Sequence, residues 1–535
     1  MPQRKMLVIG MFTIGFFLSL ASIPIVAQTY TDLHDFNCAV EGCSPQFSSF
    51  LAQGRDGNLY GTTLFGGTHN YGTVFKATLD GTVTTLYNFD GTTGAYPQGG
   101  LTLATDGNFY GTTEKGGAYN YGNIFRITPS GVLTVLHTFN GTDGGAPYSP
   151  PLQASNGSLY GLTQISSTAY RITLAGKFSL LSTPMANGTM APLIQARDGY
   201  LYGTNPGGGL GPCAPYGCVF RMSLAGAFKT IYIFDNTHGT EPYSPVTQAA
   251  DGNLYGTAPG GGQYYYGVAF KLTTKGGFTL LHEFGNGNDG SGPDAGLVAA
   301  SDGNLYSATV GGGTGNCGTL FRFAKGGAYS LLYNFDYTHG GNPYASPMQH
   351  TNGVIYGLAA YGGASGSGVL YSLNASLAPF VALMTTSGSP GQTVQILGQG
   401  FNTASSVKFG TGSAQFTAVS DTYMTAVIPA EGTSGYVTVT TDSGALTSNK
   451  KFVVKPIITG FNPPSGGVGS TVTISGGGFY GATKVTFGGV KATSFTVTNG
   501  STISATVPTG AVTGKIAVTT AGGTASSKAL FTVTS

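Results

Sequence analysis

Short stretches in which apolar and polar residues alternate recur along the first two thirds of the chain. In the segment 99–139 four such stretches, here called strands a to d, read "LTLAT", "NFYGTT", "NIFRIT" and "LTVLHTF". The dipeptide "DG" separates a from b, a glycine-rich loop separates b from c, and "PSG" separates c from d. The alternation predicts half-buried antiparallel strands joined by two tight turns and one long loop, and no helical period interrupts it.

This four-strand unit recurs seven times, each time with a motif like "DGNLYGTT" between strands a and b. The spacing of about fifty residues is typical of propeller blades. The seventh copy lacks strand d, whereas an isolated d-like strand, "TDLHDF", lies near the start of the chain. We therefore expect Tyr30–Phe36 to pair with strand c at Val369–Leu373 and close a seven-bladed ring in a one-plus-three arrangement. The motif tyrosines are Tyr60, Tyr110, Tyr160, Tyr202, Tyr255, Tyr306 and Tyr356.

A second, longer repeat occupies the C-terminal part of the chain. "SGSPGQTVQILGQGF" at Ser387 and "PPSGGVGSTVTISGGGF" at Pro463 each open a unit of about eighty residues built from short alternating strands, which predicts Ig-like β-sandwiches. The fold class is therefore all-β. We expect a signal peptide at 1–27, the propeller at 28–377, and Ig-like domains at 378–455 and 456–535.

Both repeats resemble known families. The unit with "DGNLYGTT", "GG", "YG" and the apolar c and d strands resembles the GloVer tandem repeat of exported bacterial proteins. It is more loosely similar to propeller repeats of the two-component-regulator and virginiamycin B lyase types, which usually carry Trp where this chain has Tyr. The C-terminal units resemble IPT/TIG domains, which occur as stalk modules and in DNA-binding factors. The GloVer resemblance implies a secreted or surface architecture without an assigned chemistry.

The N-terminus has the organisation of a secretory signal peptide. A basic "MPQRK" precedes an apolar run, and the following small residues favour cleavage after Ala27; an uncleaved membrane anchor is the alternative. No second apolar run of that length follows, so we expect no membrane span after cleavage and a secreted, periplasmic or cell-surface location. Charged residues make up 8% of the chain and the net charge is +2, which argues against nucleic acid as a partner.

Five cysteines fit an oxidising compartment. Cys38 with Cys43, and Cys213 with Cys218, each enclose four residues and are predicted to form short disulfide-closed loops, which leaves Cys317 unpaired. Neither pair is C-x-x-C and no histidine follows at zinc-finger spacing, so no metal site is predicted. No motif indicates a cofactor.

No catalytic motif such as H-E-x-x-H, G-x-S-x-G or a P-loop occurs. Cations follow the aromatic residue of strand c in six units; they could hold an anionic ligand or form an ordinary outward strand face. Glutamines three residues before the turn Asp or Asn could line the channel, hydrogen-bonded to water. The cations are Lys76, Arg126, Arg171, Arg221, Lys271 and Arg322, and the glutamines are Gln53, Gln153, Gln195, Gln248 and Gln349.

The long b–c and d–a loops share one face of the predicted ring, here called the long-loop face, and binding residues collect on such loops. Its tyrosines could form a platform for sugar rings, although each "YG" tyrosine could instead pack on the next blade. The loop carboxylates Asp90, Asp143, Glu241, Asp289 and Asp294 belong to different units, so no catalytic acid pair is predicted. The ligand-binding candidates are Tyr71, Tyr121, Tyr216, Tyr264, Tyr265, Tyr266, His238 and His339.

The sequence thus favours a binding or interaction scaffold whose partner is an extracellular polysaccharide or a surface protein, and low charge favours a neutral polymer. A propeller enzyme of the lyase or glycosidase type, and a purely structural surface or adhesive component, are the alternatives. An acid or histidine cluster near the channel mouth would favour the enzyme, whereas evenly distributed polar aromatics would favour binding.

Overall fold

The computed structural model describes residues 28–45, 50–182, 188, 190–208, 211–285 and 288–535. The predicted signal peptide and its cleavage site lie outside these residues. The described part contains seven four-stranded antiparallel sheets, followed by two pairs of sheets. The all-β propeller fold with Ig-like domains is therefore confirmed, and within the described residues the helical structure is limited to a short 3-10 turn at Phe401–Thr403.

The seven blades have the predicted strand plan, with strand a innermost. Strand a of blades 1 to 7 is Ala52–Gln53, Thr102–Leu103, Leu152–Gln153, Ile194–Gln195, Thr247–Gln248, Val298–Ala299 and Met348–Gln349. Strand b is Leu59–Thr63, Phe109–Thr113, Leu159–Leu162, Leu201–Asn205, Leu254–Ala258, Leu305–Thr309 and Ile355–Ala359. Strand c is Thr73–Ala77, Asn123–Ile127, Ala169–Ile172, Cys218–Met222, Val268–Leu272, Thr319–Phe323 and Val369–Asn374. Strand d is Val83–Asn88, Leu133–Thr138, Phe178–Ser182, Phe228–Ile233, Phe278–Glu283, Tyr329–Asn334 and, for blade 7, Thr29–Asp35.

The ring closes through the N-terminal strand, as predicted. Thr29–Asp35 pairs antiparallel with strand c of blade 7, with Tyr30 opposite Leu373 and Asp35 opposite Val369. Like every other c–d pair, this one contains a β-bulge, which increases the twist of the outer strand. The side chain of Tyr30 stacks on Tyr333 of blade 6 with ring centroids 3.8 Å apart, so the closing strand also contacts the preceding blade.

The repeated motif builds the inner turn of each blade. In blade 1 the Asp56 carboxylate accepts hydrogen bonds from the backbone and side-chain amides of Asn58 and from the Tyr60 hydroxyl, at 2.8–3.2 Å. The ring of Tyr60 is fully buried and stacks on Phe109 of blade 2 at 4.1 Å. The same turn recurs with Asp106, Asp198, Asp251 and Asp302. The motif therefore fixes a tight turn and fills the core between neighbouring blades.

The strand a glutamines form hydrogen bonds between neighbouring blades instead of contacting only water in the channel. In blade 3 the Gln153 Oε1 accepts the backbone N–H of Thr105 in blade 2, at 2.9 Å, and its Nε2 donates to the Thr105 hydroxyl, at 3.0 Å. Gln53 makes the same clasp to Thr351 and so links blade 1 to blade 7. Gln195, Gln248 and Gln349 each accept a backbone N–H of the preceding blade. Blades 2 and 6 have Leu103 and Ala299 at this position, which cannot form the clasp.

Two β-sandwiches with the same strand order follow the propeller. The first packs Val394, Ile396, Phe409 and Phe452 between its sheets, and the second places Val472, Ile474, Phe487 and Phe531 in the corresponding core. The first has strands Ala382–Leu383, Ser387–Gly388, Thr393–Leu397, Ser406–Phe409, Gly412–Ala414, Phe416–Ser420, Tyr423–Val427, Gly435–Thr441 and Gly444–Val454. The second has Ile457–Asn462, Ser465–Gly466, Thr471–Gly477, Lys484–Phe487, Val490–Lys491, Phe495–Asn499, Thr502–Thr506, Gly514–Thr520 and Gly523–Val533.

The first Ig-like domain docks on the tight-turn face of the propeller. The Arg55 guanidinium, in the inner turn of blade 1, donates to the Thr105 carbonyl at 2.8 Å and to Gln395 Oε1 at 2.7 Å, and it lies 4.5 Å from the Tyr423 ring centroid. Blade 7 contributes Thr351, whose hydroxyl donates to the Gly398 carbonyl at 3.3 Å. The long-loop face therefore lies on the opposite side of the ring from this domain.

Candidate functional site

The long-loop face is an ordered surface because its two kinds of loop pair with each other. In blades 1, 2, 3, 5, 6 and 7 the d–a loop that enters a blade forms a short antiparallel bridge with the b–c loop of the same blade. Immediately after this bridge the d–a loop turns inward at a residue with positive φ, followed by proline. These turn residues are Ser44, Tyr96, Ala146, Glu241, Gly292 and Asn342, with φ between 48° and 60°.

The residue after that proline lies close to the channel axis. Tyr243, Asp294 and Tyr344 occupy this position in blades 5 to 7, and Met190 lies at the equivalent distance before strand a of blade 4. Together with Phe50 and Ser346, these four residues line a narrow cleft. Five blades contribute to the cleft, which is here called the axial mouth. Next to it, a cavity of about 540 Å³ opens between blades 3, 4 and 5. This side cavity shares Met190 and Tyr243 with the axial mouth and is otherwise lined by Gln164, Ser166, Ser167, Gly188, Pro206, Gly207, Gly208, Pro215 and Glu241.

The structure brings together two carboxylates that the sequence left apart. Glu241 enters blade 5 and Asp294 enters blade 6, and burial together with the neighbouring Glu241 charge raises the pKa of Asp294 to about 7. The Tyr243 hydroxyl lies 3.4 Å from Glu241 Oε2. Burial and both carboxylates raise the pKa of Tyr243, and burial and Asp294 raise that of Tyr344. The two carboxylates interact although they belong to different units, and the expectation of no catalytic acid pair stays a prediction.

A second cluster of polar side chains lies on the long-loop face, at blades 2 and 3. Gln98 and Tyr148 occupy the position of Tyr243 in blades 2 and 3, and the Gln98 Nε2 donates to Glu114 Oε2. Burial and the Glu114 charge raise the pKa of Tyr148 to about 12. Polar aromatics are thus distributed around the axis, whereas the acid pair lies on one side of it.

The predicted "YG" tyrosines lie on b–c loops of four blades and do not form one patch. The rings of Tyr71, Tyr121 and Tyr266 pack beside glycines of the d–a loop that leaves their own blade, and their side chains remain 36%, 37% and 54% exposed. Tyr216 borders the side cavity through Pro215, and its carbonyl accepts the backbone N–H of Glu241 at 2.9 Å.

Tyr265 occupies an unusual backbone position. Its φ is 63°, the left-handed conformation that Asn70, Asn120 and Asn316 adopt at the equivalent position of other blades. Those asparagine side chains accept a backbone N–H within the loop, which tyrosine cannot do. The Tyr265 side chain is 73% exposed, and Tyr264 lies beside it half-buried. This loop therefore lacks the side-chain-to-backbone hydrogen bond of the other loops and exposes an aromatic ring to solvent.

His238 and His339 lie on d–a loops of different blades, away from both cavities. Each Nδ1 lies within 2.8–2.9 Å of a carboxylate three residues earlier, Asp235 or Asp336.

The strand c cations lie opposite the motif tyrosines, and Lys76 forms an ion pair with Asp56 at 2.7 Å. For Lys76 this contact fits the second interpretation, an ordinary outward strand face, because the side chain is paired within its own blade.

Cys38–Cys43 and Cys213–Cys218 are disulfides, with Cα–Cα distances of 4.6 and 4.9 Å, as predicted. The second bond spans the b–c loop of blade 4 that supplies Pro215 to the side cavity. Cys317 is a free thiol whose Sγ lies 3.1 Å from the Gly315 carbonyl oxygen. Across the described residues, no group of three or more His, Cys, Asp or Glu could hold a metal ion, and no helix is long and apolar enough to span a membrane.

Comparison with known proteins identifies the repeat. The model of the Gloeobacter/Verrucomicrobia repeat family matches residues 19–209 and 188–424, and that of the IPT/TIG domain matches residues 456–533. The two resemblances expected from the sequence are thereby confirmed. No curated protein matches the chain.

Several solved structures are similar to parts of the chain. Virginiamycin B lyase from Staphylococcus aureus is 15% identical, with a TM-score of 0.45 over 65% of this chain and 98% of its own. A fungal alcohol oxidase of the AA5 family is 14% identical, with a TM-score of 0.45 over 78% and 100%. A surface glycan-binding protein from Prevotella bryantii is 19% identical, with a TM-score of 0.20 over 27% and 38%. At these values none of them assigns an activity.

Proposed function

The chain belongs to the Gloeobacter/Verrucomicrobia repeat family, and we propose that it is a secreted or cell-surface protein that binds polysaccharide on its long-loop face. The side cavity is the observation that carries this proposal. Its volume of about 540 Å³ lies within the range of small-ligand sites, so it has room for sugar units of a longer chain.

The lining of the side cavity matches the surface of a sugar. Gln164, Ser166 and Ser167 offer amide and hydroxyl groups on one side, and Tyr243 offers an aromatic face with a hydroxyl on the other. Sugar rings present apolar C–H faces and polar edges, which such a combination can contact simultaneously. Among the described residues of the lining, Glu241 is the one that is charged, so most of this surface suits an uncharged ligand.

The loop tyrosines extend this surface outward. Tyr264, Tyr265 and Tyr266 lie on the b–c loop of blade 5, which forms a backbone bridge with the d–a loop that carries Glu241 and Tyr243. A tyrosine in the left-handed position is costly, and strained residues are retained where the exposed group contributes to function. A polysaccharide seated in the side cavity would continue across this loop.

The two disulfides fit an oxidising, extracytoplasmic location. The leader sequence, with its expected cleavage after Ala27, supports export. We propose that the Ig-like domains carry the propeller as a stalk, because the first of them docks on the face opposite the cavities.

Affinity electrophoresis of the mature, disulfide-bonded chain in gels that contain soluble polysaccharides tests the proposal. Tyr243→Ala and the triple variant Tyr264→Ala/Tyr265→Ala/Tyr266→Ala should each lose retardation in the gel that retards the wild type, with little change in melting temperature. Tyr436→Ala is the matched control, because Tyr436 is 41% exposed on the first Ig-like domain. Unchanged retardation of both variants, or no retardation of the wild type by any polysaccharide, would contradict the proposal.

A propeller enzyme on the same face is the second candidate, and the Glu241–Asp294 pair is the observation that favours it. A carboxyl group with a pKa of about 7 can donate a proton near neutral pH, as a glycosidase acid does. Release of reducing ends or of unsaturated products from any retained polysaccharide, abolished in Glu241→Gln and Asp294→Asn, would establish this candidate.

A further inference from the structure

The side cavity lies where blade 3 has a shortened b–c loop. In blade 1 the hydroxyl groups of Thr63 and Thr73, ten positions apart, lie 2.8 Å from each other across the ends of this loop. In blade 3 the same contact joins Thr163 and Thr168, which are five positions apart. The loop of blade 3 is thus five residues shorter, which leaves space beside blade 4. The residues of the shortened loop that border this space are Gln164, Ser166 and Ser167.

Backbone contacts hold Glu241 at the edge of the side cavity. Its N–H donates to the Tyr216 carbonyl of the preceding blade, and the turn residues of five other d–a loops make the same contact, at 2.7–2.9 Å. These equivalent residues are Ser44, Tyr96, Ala146, Gly292 and Asn342. None of the five carries a charge, and a left-handed backbone favours glycine or asparagine over glutamate. The fold therefore does not require a carboxylate at this position.

The Glu241 side chain is exposed and forms no ion pair within the described part of the chain. Its carboxylate receives one long hydrogen bond from that part, of 3.4 Å, from the Tyr243 hydroxyl to Oε2. No described residue of the cavity lining is a lysine, arginine or histidine. Asp143 and Asp289 of the same face, in contrast, lie 3.0 and 2.7 Å from the Nε2 of a histidine. The Glu241 carboxylate is therefore available to a molecule that enters the side cavity.

A carboxylate in a sugar-binding cavity affects neutral and acidic ligands in opposite ways. Two adjacent hydroxyl groups of a neutral sugar can both donate to it, and hydrogen bonds to a charged acceptor are stronger than those to a neutral one. A uronic acid unit brings a carboxylate of its own. Two like unit charges about 6 Å apart, at an effective dielectric constant of roughly 40, repel each other enough to weaken an affinity about tenfold.

We propose that the side cavity selects neutral polysaccharides over polysaccharides that contain uronic acids, and that Glu241 is the residue that makes this selection. Its carboxylate accepts hydroxyl groups of the neutral sugar and repels the carboxylate of an acidic one. This inference rests on the proposed polysaccharide binding and specifies the class of polysaccharide that the same site takes.

Isothermal titration calorimetry with pairs of soluble polymers tests the inference. Hydroxyethylcellulose and carboxymethylcellulose share a backbone and differ in charge, as do dextran and carboxymethyl dextran, and starch and carboxymethyl starch. For a backbone that the wild-type chain binds, the neutral polymer should bind about tenfold more tightly than its carboxymethyl partner at low ionic strength. Sodium chloride at about 0.5 M should remove most of this difference, because it screens the repulsion.

Two substitutions of Glu241 remove its charge. Glu241→Gln and Glu241→Asn should each bind the carboxymethyl polymer about tenfold more tightly than the wild type does, because the repulsion is gone. Both should bind the neutral polymer several-fold less tightly, because an amide is a weaker acceptor than a carboxylate. The fold should tolerate asparagine, since Asn342 occupies the equivalent turn of blade 7. Asp442→Asn is the matched control, because it removes the same charge from an exposed turn of the first Ig-like domain and should discriminate as the wild type does.

A loop variant tests the location of the site. Replacement of Ser166 and Ser167 by the seven residues Gly116–Gly122 of blade 2 restores the full length of the b–c loop. This variant should lose binding of the neutral polymer because the longer loop fills the side cavity. Its melting temperature should stay near that of the wild type, since blade 2 folds with the same loop.

If the wild type binds both polymers of a pair equally, or binds the carboxymethyl polymer more tightly, the inference fails and the proposed function stands. Unchanged discrimination in both folded Glu241 variants would also overturn the inference. Undiminished binding by the loop variant would place the polysaccharide elsewhere and overturn the side cavity as its site. If no polymer binds the wild type in calorimetry or in affinity gels, the proposed function fails together with the inference.

Discussion

Replacing Phe36 by alanine tests whether the N-terminal strand closes the ring. Phe36 follows the closing strand, is fully buried between blades 7 and 1, and donates its backbone N–H to the Gly368 carbonyl at 2.9 Å. Phe139 follows strand d of blade 2, is equally buried, and donates to Gly122 in the same way at 3.0 Å. The two positions therefore match in packing and differ in how the strand is connected.

The cost of either substitution should be similar. Truncation of a fully buried phenylalanine to alanine destabilises a protein by about 3–5 kcal/mol. For a domain of this size that corresponds to a fall in melting temperature of roughly 4–7 °C. The difference lies in the route of unfolding. Loops connect strand d of blade 2 to the ring at both of its ends. A loop connects the closing strand to the ring at its C-terminal end, and noncovalent contacts hold the rest of it.

Hydrogen exchange followed by mass spectrometry should separate the two variants. In Phe36→Ala, the amides of strand c in blade 7, Val369–Asn374, should exchange much faster than those of other blades, because the closing strand detaches locally. In Phe139→Ala, the amides of strand c in blade 2, Asn123–Ile127, should exchange at about the same rate as the amides of the other blades. Equal exchange of Val369–Asn374 in the two variants, or an unchanged melting temperature in Phe36→Ala, would refute the reasoning.

Two further predictions concern the loops and the Ig-like domain. Replacement of Cys213 and Cys218 by serine should weaken polysaccharide retention in affinity gels several-fold, because the disulfide holds the loop that supplies Pro215 to the side cavity. The double serine variant of Cys38 and Cys43 is the control and should bind as the wild type does. Arg55→Ala should separate the unfolding of the first Ig-like domain from that of the propeller in calorimetry, because the hydrogen bond to Gln395 and the contact with Tyr423 disappear. A single coincident transition in that variant would show that Arg55 is not needed for docking.

The features that the sequence predicted are those set by local or repeated patterns. The blade plan follows from alternation and turn residues that lie within one unit. Ring closure follows because the strand at Tyr30–Phe36 has no partner in its own unit and the seventh unit lacks that strand. The disulfides follow from cysteines five positions apart, which a short loop can bring together.

The features that it did not predict depend on contacts between units. Glu241 and Asp294 belong to successive d–a loops, and each loop turns inward at a left-handed residue, Glu241 or Gly292, that is followed by proline. Alignment of those loops would have placed Asp294 at the position of Tyr243 and Tyr344 and pointed to the axis. The docking of Gln395 on Arg55 has no such signal, because each residue is an ordinary polar side chain in its own domain.

The missing glutamine clasps have a mechanical consequence. Between blades 1 and 2, where Leu103 replaces glutamine, the Arg55 guanidinium and Gln395 both reach the Thr105 carbonyl and supply a substitute link. Between blades 5 and 6, Ala299 occupies the position of the glutamine and Ala250 that of the threonine, and neither side chain can form such a link. The inner edge of this boundary is therefore joined without a glutamine clasp or a substitute for it, and we expect the ring to open there first when it is pulled apart.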